Sequence, residues 1–347
     1  MQHAEEHPTP GTLIDERGKP EFGIYYRPIE AINLQAFDYR KVAPFPLSLF
    51  ASTSRWAIKR WQYMGFASPD VVVGMAIVDV GYAHTAFVYV YHRATRQLYE
   101  RSFLDLLRRK ATLSESSLAG VSDYVSGKNH IRMENQIGSS PRRITVHIPG
   151  AMRLEIETQE NEFTPLCAVT RNGLHGYNYC HKAAGFPVSG FVEVSGERFE
   201  FEGKDALGTL DWTAGCLGRN TFWNWASGGG KLDDGRRLGI NFVSGVNDRG
   251  FTENVFWVDG QPHKVDVVDF DYDSDSMLTT PWRIRSNDGK ADLVFQADSE
   301  RAEDINLGIV ISRFHQPFGR FEGRLEVDGA MREVSLYGMV EEHQARW

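Results

Sequence analysis

Asp211 stands directly before Trp212, and Trp223, Asn224 and Trp225 follow soon after. Three of the eight tryptophans are thereby gathered beside a carboxylate and the amides of Asn220 and Asn224. Aromatic walls with a few fixed polar groups suit a pocket for an apolar or cationic ligand. Lost hydration favours the protonated form of a carboxyl group, so Asp211 is a candidate general acid. Its plainer reading is a turn cap, or a buried carboxylate bonded to backbone amides. On a strand, Asn220, Phe222 and Asn224 share one face, and Thr221, Trp223 and Trp225 the other. The amide face can orient a hydroxyl, a carbonyl or water; the tryptophan face also reads as simple core.

Three further clusters carry chemistry-bearing residues. If Tyr177 to His181 is extended, Tyr177, Tyr179 and His181 project together and set an imidazole beside two phenols. That is a proton-transfer surface, or else a polar edge strand. Glu253 is a candidate second acid/base group facing Asp211, and Asn254 a candidate holder of a ligand oxygen; ordinary turn chemistry is the alternative. In Arg55–Tyr63 an extended chain puts Arg55, Ala57, Lys59, Trp61 and Tyr63 on one face, with Trp56 adjoining. Trp56, Lys59 and Trp61 are candidate binding residues that stack cations on rings or hold an anionic group, or simply cover an exterior strand. His315, set among aromatics, reads as packed core.

Other patterns fail. Gly228-Gly229-Gly230-Lys231 lacks the phosphate-loop spacing, and an EF-hand begun at Asp271 meets Ser276 and Trp282 where Gly and Glu belong. Cys180, His175 and His181 lack zinc-site spacing. No dinucleotide or serine-hydrolase fingerprint is present. No cofactor and no metal are expected.

Period-two patterning dominates the elements that must position these residues, as in Met152-Arg153-Leu154-Glu155-Ile156. Turns of Ser195-Gly196, Asp259-Gly260, Asp288-Gly289 and Asp328-Gly329 predict hairpins. Tyr99–Lys110 reads as a helix with Phe103, Leu104, Leu106 and Leu107 buried, although the spacing also suits a strand pair. Evenly spaced strands indicate an all-β fold of antiparallel barrels or sandwiches with few short helices. Lys182–Pro187 punctuates the chain, dividing it into 1–184 and 185–347.

The 347 residues suffice for two cores. A net charge of −8 argues against a nucleic-acid partner. The acidic start lacks signal-peptide features, the apolar run Val71–Val80 is too short to cross a bilayer, and Cys167, Cys180 and Cys216 form no disulfide framework. A soluble cytoplasmic protein is expected, with no integral membrane insertion and its oligomeric state open.

Taken together, Trp56…Lys59-Arg60-Trp61, Gly176-Tyr177-Asn178-Tyr179…His181-Lys182-Ala183, Leu210-Asp211-Trp212, Trp223-Asn224-Trp225-Ala226-Ser227 and Thr252-Glu253-Asn254 resemble Domain of Unknown Function number 2804, from about Thr12 to Gln344. That family is distantly similar to the lipocalin-like group of carotenoid hydratases, tocopherol cyclases and some Diels–Alderases. The resemblance implies two consecutive lipocalin-like β-barrels around a lipophilic pocket, with cofactor-free chemistry on isoprenoid- or polyketide-like molecules. It transfers no catalytic residue. The expected function is acid/base hydration, dehydration, isomerisation or cyclisation of a lipophilic small molecule. Asp211 is then the acid, Trp212, Trp225 and Tyr177 stabilise positive charge, and His181 or Glu253 takes the returning proton. Carriage of the same ligand without chemistry, or a solid interaction module, are the alternatives.

Overall fold

A computed structural model describes residues 8–39, 54–135, 141–202, 205–247, 249–306 and 310–347. Among them the only helical pieces are a 3-10 turn at Leu34–Ala36 and the four-residue α1, Ser54–Ala57. The first sheet contains β1 (Gly23–Tyr25), β2 (Ile58–Ala67), β3 (Val71–Asp79), β4 (His84–His92), β5 (Gln97–Asp105), β6 (Ala111–Thr112), β7 (Gly120–Ser126), β8 (Asn129–Asn135), β9 (Arg143–Ile148), β10 (Met152–Thr158), β11 (Leu166–Asn172), β12 (Gly176–Val194), β13 (Glu197–Glu200) and β14 (Leu207–Cys216). The second contains β15 (Asn220–Lys231), β16 (Arg237–Ser244), β17 (Val255–Val258), β18 (Gln261–Lys264), β19 (Val268–Asp271), β20 (Trp282–Ser286), β21 (Ala291–Asn306), β22 (Ile311–Val327) and β23 (Ala330–Arg346).

The fold is all-β: two consecutive, curled, lipocalin-like antiparallel sheets, as expected. The main path of the first runs β5-β4-β3-β2-β14-β12-β10-β9-β8-β7-β6, and the second runs β18-β17-β16-β15-β23-β22-β21-β20-β19. All four hairpin turns occur. Ser195, Asp259 and Asp328 adopt positive φ before their glycines, and Gly289 has φ 75° between β20 and β21.

Strand alternation sorts side chains into four clusters, one inside each curl and two between the sheets, the smaller of these around Trp257 and Cys180. On β4, Ala86, Val88 and Val90 point into the first curl, while Phe87, Tyr89 and Tyr91 point out of it. On β15, Ala226 enters the second curl, while Trp223 and Trp225 join the outward set. The outer faces of the two sheets therefore pack on each other through an aromatic layer. The closest approach of the sheets is between backbones. A Cβ on Gly239 would lie 1.9 Å from the Ala184 carbonyl oxygen, and one on Gly185 (φ +86°) would lie 2.8 Å from the Gly239 Cα. Gly229 sits against the same crossing, 3.5 Å from the Gly185 Cα by the same measure. Of the glycine run that lacks phosphate-loop spacing, Gly229 thus serves packing between sheets, while Gly228 and Gly230 lie against the β23 backbone in their own sheet.

Three expectations change. Tyr99–Lys110 is not a helix: β5 pairs with β4 as far as Asp105, whose carboxylate then accepts the backbone N–H groups of Leu107, Arg109 and Lys110 and closes a turn. Leu104, Leu106 and Leu107 are exposed as a result. Arg55–Tyr63 is not one strand, since α1 precedes Ile58; Lys59, Trp61 and Tyr63 alone keep the shared strand face. Lys182–Pro187 lies inside the continuous β12, marked only by a bulge between Ala184 and Phe186. The change of sheet falls between Cys216 and Asn220. Among the described residues no helix is long and apolar enough to cross a membrane.

Candidate active site

Between the two outer faces lies a cavity of about 200 Å³, lined mainly by aromatic and aliphatic side chains. Its charged end is built on neighbouring strands. Asp211 (β14) pairs in register with Lys182 (β12) and Tyr63 (β2). The Asp211 Oδ2 accepts Lys182 Nζ at 2.8 Å and Trp61 Nε1 at 2.9 Å, and Oδ1 accepts Thr213 Oγ1 at 2.6 Å. Lys182 also lies 3.2 Å from Glu253 Oε1 and 4.8 Å from the centre of the Trp225 ring. Burial pulls the Lys182 ammonium toward neutrality, but the charges of Asp211 and Glu253 outweigh it and leave its pKa raised. Glu253 is fully buried, and its Oε2 accepts Cys180 Sγ and Asn247 Nδ2, each at 2.8 Å.

Two runs of rings leave this end. One passes from Trp61 to Trp223 (6.0 Å between ring centres, planes 8° apart), to His343 (4.3 Å) and to Phe314 (5.2 Å). The other passes from Trp225 to Tyr63 (5.3 Å) and Phe87 (6.4 Å). Both reach the buried Arg301, whose guanidinium lies 3.9 Å from the centre of Phe87 and 5.0 Å from that of Phe314. Arg301 Nη2 donates to Ser102 Oγ at 3.0 Å and Glu303 Oε2 at 2.6 Å. The exposed Leu104 and Leu106 also line the cavity.

Glu341, on β23, is a lining carboxyl group that no motif marks. Its Oε1 accepts Trp223 Nε1 at 2.8 Å, and its Oε2 accepts Gln316 Nε2 at 2.9 Å. Tyr89 OH donates to Gln316 Oε1 at 2.9 Å and fixes that amide. Burial pushes the Glu341 carboxyl up to about 7; the hydrogen bonds from Trp223 and Gln316 and the Lys182 charge oppose this, while the Asp211 charge adds to it. His343 Nδ1 is 4.0 Å from Glu341 Oε1, and its Nε2 is 2.9 Å from Ser312 Oγ. Burial, helped by the Arg301 charge, drives His343 down to about 3, so its ring is neutral near pH 7.

Of the residues singled out from sequence, Asp211, Glu253, Trp61 and Trp225 line the cavity. Trp212, Tyr177, Tyr179 and His181 lie on the opposite face of their strands, inside or against the first curl. There Trp212 Nε1 donates to Ser114 Oγ at 3.0 Å, Tyr179 packs on Trp212, and Tyr177 OH meets Tyr39 OH at 3.0 Å. The His181 imidazole is buried and its pKa is lowered by desolvation, the Arg142 charge contributing. Asn224 points into the second curl, where Nδ2 donates to Tyr272 OH at 2.9 Å. Asn254 bonds the Val243 N–H and the Asp266 carbonyl. Lys59 donates to the carbonyls of Trp56 and Val80 and is lowered to about 8 by burial. Trp56 is exposed and stacks on Tyr82. None of these eight lines the cavity. Sequence reasoning missed Lys182, Glu341, His343 and Arg301 as site residues. The available signal was alternation on β23, where Tyr337, Met339, Glu341 and His343 share a face, but no tryptophan adjoins Glu341 in sequence as Trp212 adjoins Asp211.

The family described as Domain of unknown function (DUF2804) matches residues 4–347. No curated protein sequence matches the chain. Among solved structures, kievitone hydratase from Nectria haematococca aligns with a TM-score of 0.51 and 14% identity, over 82% of this chain and 88% of its own. An AttH-type protein from Nitrosomonas europaea aligns with a TM-score of 0.50 and 15% identity, over 83% and 92%. At such identities the likeness is one of fold.

Proposed function

The chain belongs to the DUF2804 family, and from that premise we propose that it is an acid–base enzyme acting on a lipophilic small molecule in the inter-sheet cavity. Water addition to a carbon–carbon double bond, or its reverse, is the first reaction to test; isomerisation and cyclisation use the same opening step. The carrying observation is Glu341: a buried carboxyl group held near neutral pKa beside indoles. A group so poised donates and recovers protons at physiological pH. Asp211 differs from Glu341 in facing an ammonium, Lys182 Nζ at 2.8 Å, and is assigned the holding of that charge.

In this reading Glu341 protonates the alkene carbon. The faces of Trp61, Trp223 and Trp225 stabilise the developing cation, as quadrupoles do in a dry site. Water attacks, and its surplus proton passes to Glu253 and through solvent back to Glu341, so the net change is alkene plus water to alcohol. Asp211 and Lys182 fix the charge at that end. The likeness of fold to kievitone hydratase supports trying hydration first.

Native mass spectrometry of protein from its own host would identify a co-purifying ligand. Turnover of that ligand in ¹⁸O-water should label the product, and Glu341→Gln should slow it by about 10²–10⁴-fold. Full turnover by Glu341→Gln removes the proposed acid. A second reading, carriage without chemistry, is favoured by the engagement of Asp211 and Glu253 in ion pairs with Lys182. Ligand that co-purifies unchanged and is never converted would establish it.

A further inference from the structure

Buried polar atoms in folded proteins almost always have partners, and each exception calls for an explanation. Among the described residues three orphaned atoms belong to side chains lining the cavity: Asn178 Oδ1, Glu253 Oε1 and Arg301 Nε. Their chemistry is not the same. The first two are acceptors and belong to one network. Glu253 Oε2 accepts Asn247 Nδ2 at 2.8 Å, which turns Asn247 Oδ1 toward Thr170 Oγ1 (2.6 Å) and Asn178 Nδ2 (3.1 Å). With its Nδ2 so engaged, Asn178 leaves Oδ1 unmatched. Glu253 Oε1 is within ion-pair distance of Lys182 but makes no hydrogen bond. This end lacks a donor.

The third orphan is a donor. Arg301 stands where the two ring runs converge, and its Nε makes no hydrogen bond, the nearest carboxylate being Glu100 Oε2 at ion-pair distance, 4.0 Å, although Nη2 makes two. That end lacks an acceptor oxygen within hydrogen-bond reach of Nε. Charge adds a constraint: Glu303 already balances Arg301, and Lys182 already sits between two carboxylates. A negative charge on the ligand would have no counter-ion and would lose its hydration, whereas the carboxylate in excess beside Lys182 is met by a hydrogen-bond donor.

We propose that the cavity is built for an elongated molecule without negative charge, carrying a hydroxyl group at the Asn178–Glu253 end and a carbonyl oxygen at the Arg301 end, with an apolar middle lying along the rings. This rests on the reading of the cavity as a site for a lipophilic small molecule, and it names the chemical class, a hydroxy-ketone. Leaving a built polar group unpaired is the penalty that makes such sites selective.

The test uses four naphthalenes on the full chain, followed by tryptophan fluorescence: 6-acetyl-2-naphthol, 2-acetylnaphthalene, 2-naphthol and 2-ethylnaphthalene. The expected order of affinity is the doubly oxygenated probe first, at least about tenfold ahead of 2-ethylnaphthalene, with the singly oxygenated probes between. Asn178→Leu should reduce 6-acetyl-2-naphthol to the level of 2-acetylnaphthalene, leaving the latter unchanged. Arg301→Lys, which keeps the charge but not the Nε–H, should erase the advantage of the acetyl group. Near-UV circular dichroism checks that each variant is folded, and the wild-type series decides the matter if one is not. Equal binding of all four probes overturns the assignment of the two ends while leaving the lipophilic cavity intact. Binding of none overturns the cavity reading and this proposal with it.

Discussion

The two faces of β12 carry opposite kinds of chemistry. Tyr177, Tyr179 and His181 face the first curl, where phenols bond to Tyr39, Ser117 and the Ile29 N–H in solid packing. Asn178, Cys180 and Lys182 face the second sheet, where polar atoms gather around Glu253 beside open space. The same alternation separates Trp212 from Asp211 on β14. Polar groups alone therefore do not make a site. On the inner face the phenols are satisfied and fix the packing, while His181 Nδ1 is left without a hydrogen bond in solid packing; on the outer face the unmatched atoms stand beside a cavity.

Lys182→Met should mark the outer face most strongly. It leaves Asp211 and Glu253 as uncompensated buried carboxylates, and unfolding in denaturant should show a loss of about 3–5 kcal/mol. Adding Asp211→Asn and Glu253→Gln to that variant should recover much of the loss. An unchanged midpoint for the single variant would mean that the triad contributes nothing to stability and that the contrast between faces is overstated.

Next is the pH dependence of stability. The Glu341 carboxyl ordinarily titrates near 4.5 and in the folded chain near 7, so the native state binds the proton more tightly. Stability from this group is full below about pH 4.5 and is lost as pH rises through about 7, by roughly 3 kcal/mol at most. Thermal melts of Glu341→Gln against the wild type across pH 4–8 should show that slope flattened. Parallel curves would contradict the buried, protonated Glu341.

The smallest effect belongs to the inner face. Tyr179→Phe gives up contacts to Ser117 and the Ile29 N–H and should cost about 1 kcal/mol of stability. The naphthalene affinities should stay unchanged in the same variant. A tenfold change in them would carry the inner face into the binding site and break the comparison.

Much of the fold was legible in local chemistry. Aspartate or serine before glycine marked hairpins that the structure contains, because those residues tolerate positive φ. Alternation told which side chains share a face, but not which face meets a second sheet; hence Trp212, Tyr177 and His181 were grouped with Asp211. The second half of the site depends on contacts between distant strands. Glu341 meets Trp223 across 118 positions of sequence, and Tyr89 meets Gln316 across 227. No local pattern encodes such pairings. The turn after Asp105 misled for a related reason: leucine spacing suits a helix, but one carboxylate capturing successive amides stops the chain first.

Where Ala184 and Gly185 lie against Gly239, the two curls touch main chain to main chain. Lys182 is only a few positions along the same strand, so the gap it looks into opens out from a fulcrum with no side chain to compress. A single methyl group placed there would act as a shim, tilting one curl against the other and resetting the width of everything between them. Two residues that do not line the cavity thus govern its width.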